Sequence, residues 1–231
     1  MDLLGEGVRQ AVALLTGGDR EVWAILWLSL AVSGTATSIA LLIGVPLGTL
    51  LALARFPGRR LVVSAVNTGM GLPPVVVGLF VSLLLWRSGP FGDWEILYTP
   101  AAIVIAQAVI ATPLVTGITL AAVGAVPAAF RLQLLGLGAS RVQMVWVVLR
   151  EARLPMLAAV MAGFGGVISE IGASMMVGGN IKGQTRTLTT AMVLETGKGN
   201  FDVAIALALL LLVLIFAVNW ALTSIQQRRA G

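Results

Sequence analysis

The sequence contains no cysteine and no histidine, and only 11% of its 231 residues are charged. The missing cysteines exclude disulfides and thiolate chemistry, and the missing histidines exclude imidazole ligands and histidine-based proton relays. Hydrophobic residues make up 58% of the chain, whereas a soluble domain has about 45–50% apolar and about 25% charged residues. The composition therefore indicates an integral membrane protein.

Long apolar runs reach the roughly 20 residues that a helix needs to cross about 30 Å of hydrocarbon. They predict five membrane-spanning helices, at residues 23–54, 62–86, 100–123, 155–177 and 203–224. A long amphipathic stretch, 127–153, follows the third span, and a polar segment, 178–201, follows the fourth. We predict an all-α membrane protein that forms a single domain over residues 1–231.

The basic residues are unevenly distributed between the two sides that alternate spans define. One side has nine of them: Arg55, Arg59, Arg60, Arg131, Arg141, Arg150, Arg153, Arg228 and Arg229. The other side has six: Arg9, Arg20, Arg87, Lys182, Arg186 and Lys198. Because Lys and Arg are retained on the cytoplasmic side, this bias predicts an external N-terminus and a cytoplasmic C-terminus. The excess of positive charge thus reflects loop placement, and no nucleic-acid partner is predicted.

Small residues recur every fourth position in the first span, at Ala40, Gly44 and Gly48. Such a stripe lets a second helix approach closely. An alternative is that these glycines are scattered without a packing role, since glycine is common in membrane helices. Pro46 lies in the same span and predicts a local bend.

Two adjacent prolines, Pro73 and Pro74, predict a break near the inner end of the second span. The carbonyls freed by such a break must be buried in protein or meet water, so the break suggests a helix that faces the bundle or a wet path. Glu170 lies near the outer end of the fourth span. An acid at membrane depth suggests function by default, but a role as an interhelical hydrogen-bond anchor is an alternative.

The polar segment contains the spacing G-x-x-x-x-G-x-T at Gly178, Gly183 and Thr185, which resembles a phosphate-binding loop. Gln184 occupies the position where that motif requires lysine, and no strand precedes it. We therefore interpret the match as accidental. The sequence also has no carboxylate pair, metal-ligand cluster or nucleophile beside a base, so it predicts no catalytic residue, no metal site and no enzyme.

Hydroxyl and amide donors are concentrated in the polar segment, together with Lys182 and Arg186. Such groups can replace part of an anion's hydration shell, which predicts an external gate for an anion. An alternative is a solvated loop, because loops are generally polar. The candidate gate and pathway residues are Glu170, Met175, Met176, Asn180, Thr185, Arg186, Thr189 and Thr190.

Two stretches carry a family resemblance. Residues 136–155 read "GLGASRVQMVWVVLREARLP" and resemble the cytoplasmic coupling motif of ATP-binding-cassette (ABC) import permeases. Residues 169–201 contain "MMVGGNIKGQTRTLTTA" and are similar to the external gate of the molybdate, sulfate and tungstate permeases, the tungstate group above all. In the family, the coupling motif usually begins with Glu-Ala-Ala. This chain departs from that pattern, because the equivalent positions are Leu132, Gln133 and Leu134. An ordinary basic linker is the alternative for this stretch.

The resemblance implies a type I ABC importer permease in the cytoplasmic (inner) membrane of a prokaryote. It further implies a homodimer, two cytoplasmic ATPase subunits that bind ATP and Mg²⁺, and an external protein that delivers tungstate. This chain would bind no cofactor, and its ATPase-coupling residues would be Gly138, Ala139, Ser140 and Arg141. The alternatives are a molybdate or sulfate permease of the same group and, in another class, a stand-alone channel or carrier.

Overall fold

The computed structural model describes residues 3–17 and 20–228, and within these ranges the secondary structure is helical. The helices are α1 (Leu3–Thr16), α2 (Arg20–Leu53), α3 (Arg59–Met70), α4 (Pro74–Leu85), α5 (Pro100–Gly124), α6 (Ala128–Gly136), α7 (Arg141–Glu151), α8 (Arg153–Ile168), α9 (Gly172–Gly178), α10 (Leu188–Lys198) and α11 (Phe201–Arg228). A short 3₁₀ helix, Gly92–Trp94, precedes α5.

Three of these helices, α2, α5 and α11, are each long and apolar enough to cross a membrane. Two bent helix pairs are also long and apolar enough, if each pair is counted as one span. The chain bends by 102° between α3 and α4 and by 58° between α8 and α9. Counting each bent pair as one span gives five, in the order predicted from the apolar runs. The all-α membrane fold is thus confirmed.

The centre of the bundle is the contact between α2 and α5, where the small-residue stripe of α2 is buried. A Cβ atom built on Gly48 would lie 2.6 Å from the carbonyl oxygen of Thr116, and one built on Gly44 would lie 2.8 Å from the Val115 side chain. The two backbones therefore approach too closely for any larger residue at Gly48. Helix α2 continues unbroken through Pro46, whose side chain is exposed.

The prolines of the second span lie at the break between α3 and α4. Pro73 is extended, with φ −61° and ψ 124°, and Pro74 begins α4. Proline cannot donate a backbone hydrogen bond and disfavours helical geometry in the preceding residue, so two adjacent prolines favour the end of α3 at Met70, shortly before Pro73. None of the described residues of α3 is buried. This helix therefore lies against α5 at the edge of the chain, with much of its surface uncovered.

At one end of the bundle, α6 and α7 pack on the ends of α2 and α5 through Val123, Val126 and Val148. Arg55, Arg59 and Arg131 line one cavity at this end. The polar segment lies at the start of α2, about 50 Å away along a helix of 34 residues. We call these the cytoplasmic end and the external end.

Candidate functional site

The break in the fourth span contains one of the predicted gate residues, Glu170. Helix α8 ends at Ile168 and α9 begins at Gly172. The carbonyl oxygen of Val167, freed by the break, accepts hydrogen bonds from the Gln107 side-chain amide at 2.9 Å and from the Glu170 backbone N–H at 3.2 Å. Gln107 is buried on α5, so the break is supported from a neighbouring helix.

Glu170 stabilises the other side of this break. Its carboxylate accepts hydrogen bonds from the backbone N–H groups of Ala173, at 3.1 Å, and Ser174, at 3.4 Å. These are two of the donors that a helix leaves unsatisfied at its first turn. Glu170 therefore caps α9, and its contacts favour a structural role, although within its own span rather than between helices as the alternative interpretation had it.

We expect Glu170→Ala to lower the free energy of unfolding by about 1–2 kcal/mol, because it removes the acceptor of two buried N–H groups. Glu170→Gln keeps one side-chain oxygen as an acceptor and serves as the matched variant. The measurement is the unfolding midpoint of the purified chain in detergent. Equal losses for both variants would show that the charge, and not the cap, is what matters at this position.

The threonines predicted to be anion donors make their hydrogen bonds within the protein. Thr185 donates to the Gly178 carbonyl and accepts from the Ile181 N–H at 2.9 Å, which closes the loop between α9 and α10. Thr189 donates to the Glu170 carbonyl oxygen at 3.1 Å. Both threonines are at most 2% exposed. In this conformation their hydroxyls are therefore turned away from solvent, and a role in anion passage stays a prediction.

The same loop is tied to the helices on either side of it. Thr187 and Thr190 form a reciprocal capping box at the start of α10, and Thr190 is fully buried. The Asn180 side-chain amide donates to the Thr190 carbonyl oxygen at 3.3 Å. The Leu188 N–H donates to the Ser29 hydroxyl of α2 at 2.9 Å. The polar segment is thus an ordered part of the external end, which argues against a freely solvated loop.

Two of the three cations of the polar segment, Lys182 and Arg186, are paired with one acid. Lys182 Nζ lies 2.7 Å from a Glu21 carboxylate oxygen, and Arg186 Nη1 lies 3.6 Å from the other oxygen. They line a cavity of about 390 Å³ together with Glu195 and Lys198. Hydrogen bonds from Asn200 and Lys198 lower the pKa of Glu195 below its usual value, so this carboxylate stays ionised at neutral pH. The cavity therefore holds three cations against two carboxylates.

The predicted pathway residues do not form one site in this conformation. Met175 and Met176 lie on α9, which packs against α4, and the Met176 sulfur lies close to Gly78. Neither methionine lines the cavity of Lys182 and Arg186. The sequence had shown which residues are polar or flexible, but not that α9 separates them into two groups.

The predicted coupling residues form the turn between α6 and α7. Gly138 has a positive φ of 86°, and none of the described residues places an atom within 4 Å of a Cβ built there. Ser140 caps α7 in a capping box with Gln143. Ala139 donates its backbone N–H to the Leu134 carbonyl oxygen at 3.1 Å, and Arg141 is the first residue of α7. The turn is therefore ordered and presented at the cytoplasmic end.

Large apolar side chains surround this turn and are exposed. The exposed fractions are 85% for Leu137, 79% for Val142 and 60% for Trp146, and Arg150 lies over the Trp146 ring at 5.4 Å. Exposed apolar groups at an ordered turn are typical of a protein-binding surface. Sequence reasoning singled out the turn but not these side chains. The sequence feature that could have indicated this surface is the pair of apolar residues on either side of the turn, Leu137 and Val142.

Five spans, two of them broken, and a paired-helix turn at the cytoplasmic end form the fold of ABC import permeases. A chain of the MetNI methionine ABC transporter, solved in inward-facing conformations, matches with a TM-score of 0.73 at 22% identity, covering 90% of this chain and 94% of that one. The model of the family described as binding-protein-dependent transport system inner membrane component matches residues 44–231. The chain belongs to this family and is a multi-pass permease of the cytoplasmic membrane.

Similar proteins extend the comparison over almost the whole chain. The tungstate uptake system permease protein TupB of Peptoclostridium acidaminophilum is 39% identical over 229 residues, covering 98% of this chain and all of the relative. A probable anion ABC transporter permease of Haloferax volcanii is 39% identical, covering 90% of this chain and 92% of the relative. The molybdenum permease ModB of Escherichia coli is 30% identical, covering 74% and 78% respectively.

Proposed function

We propose that this chain is the membrane-spanning subunit of an ATP-driven importer of tungstate. The observation that carries the proposal is the 39% identity to a tungstate permease over 98% of the chain. A molybdate permease is the second candidate, since ModB is related, but both its identity and its coverage are lower. The shared property of these substrates is a tetrahedral oxyanion of double negative charge.

The uncovered surfaces of the chain are consistent with the proposed partners. The α6–α7 turn with its exposed apolar side chains fits a cytoplasmic ATPase, which would bind the ATP and Mg²⁺ that this chain is not expected to bind. Helix α3 has an exposed apolar side chain, Leu61, which is 77% accessible. A second copy of the chain would place part of this helix at an interface around a central path. The external end would receive the anion from a binding protein.

The packing of α6 and α7 supports a mechanical coupling between the ATPase and the membrane-spanning helices. Closure of the ATPase pair would displace the turn at Gly138. Because Val148 and Ala152 are buried against Val123 and Val126 at the end of α5, the displacement would pass to the spans as a rigid-body movement. The two bent spans would absorb the change at residues 71–73 and 169–171, which gives alternating access.

The ion pairs of Glu21 indicate how the external end would change when the permease opens outward. With Lys182 and Arg186 held by this carboxylate, the loop is fixed to the start of α2. Separation of the loop from α2 in the outward-open state would leave both cations available to the arriving anion. These contacts would be weak and transient, as passage through a gate requires.

The test is uptake of radioactive tungstate into proteoliposomes that contain this chain, its ATPase and its binding protein. We expect uptake that requires ATP and both partners and that resists about a hundredfold excess of molybdate or sulfate, a difference of about 2.7 kcal/mol or more in apparent affinity. Equal competition by molybdate would instead support the second candidate. Uptake without ATP or partners would overturn the importer and point to a channel or carrier.

A further inference from the structure

A cationic cavity lies at the cytoplasmic end, beside the end of α2. It has a volume of about 500 Å³ and is lined by Arg55, Arg59 and Arg131, and no carboxylate is among the described residues that line it. The Arg59 Nε donates to the carbonyl oxygen of Leu51 at 2.7 Å. This bond fixes one guanidinium at the wall of the cavity while its terminal nitrogens remain for a ligand. The positions of the three arginines thus create a concentrated positive charge.

None of these arginines forms an ion pair within the part of the chain that the structure describes; the ion pairs there involve Lys182, Arg186 and Lys198 at the external end. Guanidinium groups bind phosphate through planar, paired hydrogen bonds and keep their charge at every physiological pH. Uncompensated arginines around a cavity at a membrane surface therefore favour a phosphate-bearing ligand.

An apolar groove adjoins the cavity and identifies the remainder of that ligand. The groove has a volume of about 650 Å³, runs between α2 and the α6–α7 pair, and shares Leu53, Ala54 and Met144 with the cavity wall. Its other lining residues are mainly apolar and include Val45 on α2 and Val145 on α7, and Arg141 also lines it. Val45 precedes Leu53 by eight positions, so the groove follows α2 for about 12 Å from the cytoplasmic end toward the membrane interior.

We propose that the cavity and groove form a binding site for an anionic phospholipid of the cytoplasmic leaflet. The lipid phosphate lies among Arg55, Arg59 and Arg131, and one acyl chain lies in the groove against Val45 and Val145. Basic pockets beside membrane helices on the cytoplasmic side are suited to such head groups. A free inorganic anion would fill only the cavity and would leave the groove unexplained.

Three separate parts of the chain line the site. It is formed by the end of α2, the start of α3, and the α6–α7 pair that carries the exposed turn. A lipid bound there bridges the coupling surface to the spans. The inference concerns lipid binding by this chain and does not depend on which oxyanion the importer carries.

The test is native mass spectrometry of the purified permease, titrated with phosphatidylglycerol or with phosphatidylcholine of the same acyl chains. We expect phosphatidylglycerol to bind and phosphatidylcholine to bind at least about tenfold more weakly. The double variant Arg55→Gln/Arg131→Gln should bind phosphatidylglycerol about 30-fold more weakly, since each arginine near a lipid surface contributes about a fivefold factor. Arg153→Gln removes one cytoplasmic charge outside the site and should bind as the unchanged chain does.

Further variants and ligands separate the possible occupants. Val145→Trp should weaken phosphatidylglycerol binding by filling the groove, and should leave binding of glycerol phosphate unchanged. The proposal is overturned if inorganic phosphate or tungstate displaces the lipid at equal concentration, because the site would then serve free anions. It is also overturned if Arg153→Gln weakens binding as much as the double variant does, or if adding the ATPase releases the lipid, because the cavity would then be part of the docking surface.

Discussion

Replacing Gly138 by valine is expected to reduce ATP-dependent uptake at least tenfold while the chain still folds and inserts. The loss is expected from the backbone conformation and not from a clash, because Gly138 adopts φ 86° and has open space around the position of a Cβ atom. A β-branched residue with this φ costs about 1–2 kcal/mol or forces the turn into another shape. Either change displaces α6 relative to α7, and with them the apolar side chains that would contact the ATPase. Uptake and ATP hydrolysis, measured together in proteoliposomes, give the ratio of transport to hydrolysis.

Gly136 provides a matched control for this experiment. It lies two residues earlier at the end of α6, also has open space at its Cβ position, and is not among the described glycines with positive φ. Gly136→Val should therefore retain most of the uptake. Gly138→Asn should recover part of the loss, since asparagine tolerates the left-handed conformation. If the two valine variants lose uptake equally, the effect comes from added bulk at the surface and the argument from φ is wrong.

Replacing Gly48 by valine is expected to destabilise the folded chain by about 3 kcal/mol, the upper range for overpacking a close contact. The atoms that a Cβ would meet include the Thr116 carbonyl oxygen at 2.6 Å and the Leu120 backbone nitrogen at 3.0 Å, both belonging to the backbone of α5. A backbone cannot move aside as a flexible side chain can. The two central helices must separate, and the packing between them is lost along several turns. The unfolding midpoint in detergent, with the fraction of monodisperse protein, measures this loss.

Gly34 is the control, because it lies in the same helix and none of the described residues approaches within 4 Å of its Cβ position. Gly34→Val should change stability by less than about 0.5 kcal/mol, as surface substitutions usually do. A similar loss at Gly34 and Gly48 would attribute the effect to a larger side chain anywhere on α2, since helix propensity itself favours valine over glycine. In that case the close approach of α2 to α5 would contribute little to stability.

Those features of the fold that depend on local chemistry could be predicted from the sequence. Apolar length locates the spans, the distribution of arginine assigns their orientation, and two consecutive prolines locate the break between α3 and α4. Each of these signals depends on residues that are neighbours in the chain. The same is true of the coupling turn, where Gly138 lies two positions after the end of α6 and Ser140 directly precedes α7.

The break between α8 and α9 could not be predicted in this way. No proline marks it, and one of its supporting hydrogen bonds comes from Gln107, 60 positions earlier. The hydrogen bonds of the polar segment could not be predicted for a related reason. A threonine hydroxyl can donate a hydrogen bond to an anion or to a backbone carbonyl. Only the folded chain shows that Thr185 and Thr189 donate to the carbonyl oxygens of Gly178 and Glu170, respectively. The sequence identified the donors, but their partners depend on tertiary structure.

The support of Val167 by Gln107 also has a consequence for biosynthesis. A chain is made from its N-terminus, so α5 emerges from the ribosome before α8 and α9 do. When the fourth span enters the bilayer, the amide that accommodates its freed carbonyl is already present on an earlier helix. In the opposite order, the Val167 carbonyl would have only the Glu170 N–H of its own span as a donor, and the bend would lack its support from α5 while the span lies in lipid. The order of elements in the gene thus lets an irregular span take its bent shape as it is inserted.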